Sequence, residues 1–156
     1  QRELLWRVSE WSRQINSVNE NSDNFNRGLL EYESSDASVQ SIINGVLSEF
    51  VFICESALNM RNDGFFSDGT WAGIEGATLA LLRTPGGQQW WGYSQHFIGS
   101  EIVERLNARL KEIDPDFPTF LDFTPTSYKR LAELGIKPPP RSAEGSASQD
   151  PDSNSI

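Results

Sequence analysis

The sequence has one cysteine and one histidine among its 156 residues, and these scarcities exclude several kinds of chemistry. Cys54 has no second cysteine with which to form an intrachain disulfide. His96 lacks the glutamate three residues earlier that dinuclear helical bundles use, because Tyr93 stands there. Nor does a nucleophile accompany it in a recognisable catalytic arrangement. We therefore predict no catalytic residue, no metal site and no cofactor.

Long hydrophobic runs and excess positive charge are also missing. No uninterrupted stretch reaches the roughly 18 apolar residues expected of a transmembrane helix, so no segment of the printed chain is predicted to span a membrane. Lysine and arginine together number 13 against 22 aspartates and glutamates, which gives a net charge of -9. Because an acidic domain repels phosphate backbones, nucleic acid is excluded as an expected partner.

Apolar residues recur at helical spacing along most of the chain, and no segment has the alternation expected of a strand. The spacing predicts an all-α bundle of four to five helices over residues 1–137. The helix that begins near Asp36 is apolar over much of its circumference, so we expect it at the centre. Residues 138–156 begin with three prolines and continue as a Ser-, Ala-, Gly- and Asp-rich segment, which predicts a disordered, acidic tail.

The segment around Thr84-Pro85-Gly86-Gly87 ends one helix and begins the next, with Thr84 as the N-cap and Pro85 in the first turn. It lacks the lysine and the preceding strand of a phosphate-binding loop, so the glycines predict close packing of two helices. Trp90 and Trp91 follow directly. Adjacent helical positions point about 100° apart, so we expect one tryptophan in the core and the other against a neighbouring helix, a groove or a partner.

Glu55 lies inside the most apolar helix and is the candidate for a buried carboxylate. One interpretation is a structural ion pair, with Arg27 or Arg61 as its partner. The alternative is a small-molecule or hydrolytic site in which Arg61, Trp71 and Trp90 line a pocket around a carboxylate of perturbed pKa.

The first residues carry one apolar stripe, formed by Leu4, Val8, Trp11, Ile15 and Val18. Its spacing matches a heptad for two repeats, which makes it the best candidate for a homodimer seam. The helical pattern is already under way near Gln1, which predicts a missing N-terminal segment, and three arginines follow at Arg2, Arg7 and Arg13. Basic residues beside a membrane span favour the cytoplasmic side. We therefore expect a membrane anchor upstream of Gln1 and a location in the cytoplasm or on the cytoplasmic face of the membrane.

Three segments carry a resemblance to a known group of proteins. They are Phe25-Asn26-Arg27-Gly28-Leu29-Leu30-Glu31-Tyr32, the apolar helix with Phe50 and Glu55, and the run from Leu81 to Trp91 followed by Phe97. Over roughly Gln1 to Ile113 the chain resembles small, uncharacterised bacterial proteins of domain-of-unknown-function type. The resemblance implies an all-helical fold, often preceded by a membrane anchor, and implies no reaction and no catalytic residue.

Two functions are therefore expected. The first is a non-enzymatic interaction or regulatory domain with a protein partner or a second copy, in which Trp90 and Trp91 mark the surface. The second is the site around Glu55. If Trp90 and Trp91 are both buried, they cannot form the interaction surface. If Glu55 forms an ordinary surface ion pair, the hypothesis of a small-molecule or hydrolytic site is contradicted.

Overall fold

A computed structural model of the chain describes residues 19–123 and 125–136, and this part contains six α-helices and no strand. The helices are α1 (Asn19–Glu31), α2 (Ala37–Asn62), α3 (Asp68–Leu82), α4 (Pro85–Ser94), α5 (Ser100–Glu112) and α6 (Pro125–Glu133), with 3₁₀ turns at Gln95–Phe97 and Phe120–Phe123. The all-α prediction is confirmed, with one helix more than expected. The predicted tail at 138–156 and the stripe from Leu4 to Val18 lie outside the described residues.

Polar caps begin the helices at the positions that the sequence indicates. The carboxylate of Asp36 accepts backbone N–H groups at the start of α2, and the hydroxyl of Ser67 does so at the start of α3. Thr84 Oγ1 accepts the Gly87 N–H at 3.1 Å and thereby caps α4. At the other end of the domain, Gly135 has φ +78° and ends α6 in the left-handed conformation that favours glycine.

The first described helix corrects an expectation. The sequence from Asn16 to Asn24 is rich in Asn and Ser, which predicts that a helix ends or loosens there, and Phe25 to Glu33 predicts a short helical turn. Instead, α1 runs from Asn19 to Glu31 and includes most of both segments. Phe25 and Leu29 are almost completely buried, and α1 packs against α2, α4 and α6. Burial of this apolar face outweighs the weak intrinsic helix propensity of asparagine and serine.

Helix α2 lies at the centre of the bundle, where it packs against α1, α3, α4 and α5. Ten of its residues are buried: Val39, Ile43, Val46, Leu47, Phe50, Val51, Ile53, Cys54, Ala57 and Leu58. By length and composition alone this helix would also be apolar enough to cross a membrane, although no uninterrupted apolar run is present. A core helix of a soluble bundle meets the same criterion, and this one has other helices against its apolar face.

Glycines bring α1 and α4 into direct backbone contact. A β-carbon on Gly86 would overlap the carbonyl oxygen of Gly28 and the backbone of Leu29, and a β-carbon on Gly28 would overlap the side chain of Ile43. The close helix packing predicted from the Pro-Gly-Gly sequence is therefore confirmed. This contact fixes the start of α4 beside α1, from where the helix runs along α2.

Candidate interaction site

The two adjacent tryptophans are both buried, and Trp91 lies against a neighbouring helix, which is one of the three positions expected for the second tryptophan. Trp90 is 1% exposed and Trp91 is 5% exposed. The indole N–H of Trp90 donates to Asn44 Oδ1 of α2 at 3.0 Å, and that of Trp91 donates to Asn107 Oδ1 of α5 at 2.8 Å. Their side chains do point in different directions, but neighbouring helices cover α4 on both sides, so neither ring is free to meet a partner.

Glu55 and Arg61 do not form the predicted pair. Glu55 is half-buried, and its carboxylate lies against Gly99, which precedes the first turn of α5. Arg61 instead forms an ion pair with Asp68 at 2.9 Å. Arg27, the other suggested partner of Glu55, forms an ion pair with Glu31 at 2.8 Å.

Trp71 contributes to a charged contact that the sequence did not reveal. The guanidinium of Arg105 lies 4.9 Å from the centre of the Trp71 ring and also donates to Glu75 at 2.7 Å. Arg109 approaches the other oxygen of Glu75 at 3.6 Å. The buried carboxylate of the bundle is thus Glu75 of α3, not Glu55. Spacing along the sequence could not reveal this contact, because Glu75 and the two arginines belong to different helices.

The five residues proposed from the sequence therefore lie at different places in the bundle. Trp71 lies between α3 and α5, the two later tryptophans contact α2 and α5, and Glu55 and Arg61 lie towards the end of α2. Within residues 19–123 and 125–136, no three potential ligands lie close enough together to hold a metal ion.

Cys54 is completely buried beside this charged contact. Burial raises the pKa of its thiol from 9.0 to about 11, with a smaller rise from the charge of Glu75, while a side-chain hydrogen bond with Thr78 opposes the change. The thiol is therefore protonated at neutral pH and is a poor nucleophile there. This geometry favours a structural role for Cys54.

A concave polar groove lies between the end of α1, the first turn of α2 and the exposed side of α4. Its volume is about 430 Å³, and it is lined by Tyr32, Glu33, Gln40 and Tyr93. Ligand sites commonly have volumes of about 300 to 1,000 Å³. Tyr93, with 60% of its surface exposed, forms one wall.

The hydrogen bonds around the groove hold these side chains in place. Tyr93 donates its hydroxyl to Glu33 Oε1 at 2.8 Å, and this bond raises the pKa of Tyr93. Tyr32 donates its hydroxyl to Asn44 at 2.9 Å, and Gln40 Nε2 donates to the Tyr32 carbonyl at 3.1 Å. Because Asn44 also accepts from Trp90, the groove is joined to the buried core.

Beyond the groove, two contacts connect α2 with the chain that begins at Trp90. Helix α2 and the chain from Trp90 to Gly99 run alongside each other in the same direction, since Asn44 contacts Trp90 at one end and Glu55 contacts Gly99 at the other. On α2, Phe52 lies three residues, about one turn, before Glu55 and is rotated by about 80° around the helix from Asn44. It is 51% exposed, and Phe97 in the adjoining 3₁₀ turn is 88% exposed.

We call this surface the aromatic face and define it by Tyr32, Glu33, Gln40, Phe52, Glu55, Tyr93 and Phe97. Neither Tyr93 nor Phe97 was among the site residues predicted from the sequence. Their spacing of four residues could have indicated that the two side chains lie on the same side of the helix. It could not show that α1 and α2 leave that side uncovered.

No known protein family, curated protein or solved structure matches the chain. The resemblance to bacterial all-helical proteins, the upstream membrane anchor and the cytoplasmic location therefore stay predictions.

Proposed function

We propose that the chain forms a non-enzymatic protein-interaction domain that binds a basic, partly apolar segment of another protein on the aromatic face. The observation that carries this proposal is the exposure of Phe97 and Phe52, which are 88% and 51% exposed. Phe97 lies two residues before Gly99, and Phe52 lies about one turn before Glu55, the residue of α2 that contacts Gly99. Exposed aromatic side chains grouped on one surface are typical of binding sites, where their burial supplies much of the affinity.

The charge of the face supports a basic partner. Glu33 and Glu55 both carry carboxylates on this surface, and neither forms an ion pair with a lysine or arginine in the described part of the chain. The whole chain has a net charge of -9. Complementary charge increases the rate of association and selects against acidic partners.

The rigid framework beneath the face also supports binding rather than catalysis. Trp90 and Trp91 are fixed through Asn44 and Asn107, so the helix that presents Tyr93 is anchored on two sides. A preorganised surface loses less conformational entropy on association than a flexible one does. The alternative site around Glu55 has no comparable support, because its other proposed members lie elsewhere.

Binding of synthetic peptides tests the proposal. A short amphipathic peptide of arginine and leucine is compared, by fluorescence anisotropy at physiological salt concentration, with the same peptide carrying glutamate in place of arginine. We expect the basic peptide to bind and the acidic peptide not to bind.

Variants of the exposed phenylalanines locate the binding site. We expect Phe97→Ala and Phe52→Ala each to weaken binding by about tenfold, the usual effect of truncating an important interface aromatic. Phe123→Ala is the matched control, because Phe123 is 65% exposed but lies in the 3₁₀ turn before α6. Equal losses in all three variants, or none in the first two, would contradict the proposal.

A further inference from the structure

We propose that the groove of the aromatic face binds the guanidinium group of an arginine side chain from the partner protein, with the carboxylate of Glu33 as its counter-ion. This inference rests on the proposed function and names the chemical group that the same surface recognises. We infer it from the donors and acceptors of the groove that already form hydrogen bonds within the protein and from those that do not.

The main donors of the groove are engaged within the protein. The hydroxyl of Tyr93 donates to Glu33, the hydroxyl of Tyr32 donates to Asn44, and Gln40 Nε2 donates to a backbone carbonyl. The backbone N–H of Glu33 donates to Gln89 Oε1 at 3.0 Å.

The atoms that remain are mainly acceptors. Oε2 of Glu33 receives no hydrogen bond from any residue in 19–123 or 125–136, and Oε1 of Gln40 receives none either. Each phenolic oxygen also retains lone pairs once its proton has been donated. A lining rich in acceptors is complementary to a ligand group that only donates, and the ionised carboxylate calls for a positive charge.

Arginine fits this lining better than lysine does. Its guanidinium carries five N–H donors in a plane and no acceptor, so it can bind a carboxylate and neighbouring oxygens together. Planar guanidinium groups also stack on aromatic rings, and Tyr32 and Tyr93 both line the groove. The ammonium of lysine has three donors, is more strongly hydrated and cannot stack in this way.

The decisive comparison replaces one arginine of the binding peptide by citrulline, which keeps the shape of the side chain and removes its charge. We expect the citrulline peptide to bind about tenfold more weakly to the wild-type domain, because a charge-assisted hydrogen bond is lost. Glu33→Gln should remove this difference, since the two changes delete the same interaction.

Glu104→Gln is the matched control, because Glu104 is an exposed carboxylate of α5 outside the aromatic face. We expect it to leave the difference between arginine and citrulline unchanged. Amide resonances of Glu33, Gln40 and Tyr93 should shift on titration with the arginine peptide in nuclear magnetic resonance spectra. Tyr93→Ala should weaken binding more than Tyr93→Phe, which retains the ring.

The outcomes separate this inference from the broader proposal. If arginine and citrulline peptides bind equally while Phe97→Ala still weakens both, the guanidinium site is wrong and the interaction domain stands. If Glu104→Gln removes the difference as Glu33→Gln does, the effect is general electrostatics and the inference fails. Tighter binding of free L-arginine than of the peptide would contradict the proposal that the ligand is a protein. If no peptide binds at all, both proposals fail.

Discussion

Gly28 and Gly86 hold α1 and α4 in backbone contact, because a β-carbon on Gly86 would occupy the position of the Gly28 carbonyl oxygen. The obstacle is a main-chain atom in the middle of a helix, which cannot rotate away as a side chain can. The contact also positions α4, and with it Tyr93, beside the end of α1. Glycine at position 86 is therefore required for α4 to lie close enough to α1 to form the groove.

We expect Gly86→Ala to lower the free energy of unfolding by at least about 2 kcal/mol, because α1 and α4 must separate to admit the methyl group. Urea unfolding followed by circular dichroism measures the change. Gly92→Ala in the same helix is the control, since a β-carbon there meets nothing within 4 Å. Helix propensity predicts that this control gains up to about 1 kcal/mol. A stable Gly86→Ala variant would contradict the proposed contact.

The ion pair between Glu75 and Arg105 connects α3 with α5 beneath the ring of Trp71. We expect Glu75→Gln to destabilise the domain by about 1 to 3 kcal/mol, because it leaves the partly buried Arg105 without its counter-charge and Arg109 with only Glu112. The estimate stays below that for a fully buried pair, since the Arg105 and Arg109 side chains are 35% and 41% exposed.

The control for this ion pair is Glu112→Gln, which removes the more exposed carboxylate that contacts Arg109 at 2.9 Å. Surface pairs contribute about 0 to 1 kcal/mol, so this variant should unfold almost as the wild type does. Thermal and urea unfolding of the two variants provide the comparison. Similar small losses in both would show that the buried position of Glu75 has no special energetic role.

Cys54 should make stability depend on alkaline pH. Because its pKa is raised from 9.0 to about 11 in the folded protein, the unfolded thiol loses its proton at a lower pH than the folded thiol does. The contribution of Cys54 to stability is fully present below about pH 9 and is lost as the pH rises to about 11. Linkage gives a loss of about 2 to 3 kcal/mol across this interval.

The free energy of unfolding, measured in urea at several pH values, tests this dependence. Tyrosines and lysines also titrate in the same range, so Cys54→Ala is the necessary comparison: its stability should fall less steeply from pH 9 to pH 11. In addition, a thiol reagent should modify native Cys54 far more slowly than the urea-unfolded thiol. Identical pH profiles, or rapid modification of the native protein, would show that the thiol is accessible.

Local signals in the sequence predicted the ends of the helices well. Thr84 before Pro85 and Asp36 before α2 act within a few residues, so their hydrogen bonds form once the helix itself exists. Phe25 shows the limit of that reasoning. Its segment predicted only a short helical turn, whereas contact with the rest of the bundle buries the ring, edge-on to Phe120 at 5.8 Å between ring centres.

The candidate site was less accessible to sequence reasoning. Glu55 was the predicted buried carboxylate because its neighbours along the helix are apolar. In the structure, the other helices bury the carboxylate of Glu75 instead. Likewise, the local spacing left open whether the second tryptophan would contact a neighbouring helix, a groove or a partner. Burial depends on how many helices surround α4, and that number is not encoded in the local spacing.

The sequence by itself determined that this chain is helical, where most of its helices begin and end, and that α2 is the apolar centre. These properties follow from periodicity, capping and composition, which act over a few residues. Only the tertiary structure decided that Trp90 and Trp91 are anchored inside, and that Phe97 and the acceptor-lined groove beside Glu33 lie outside. The physical reason is that burial and charge pairing join residues that are distant in sequence, through the angles at which helices pack.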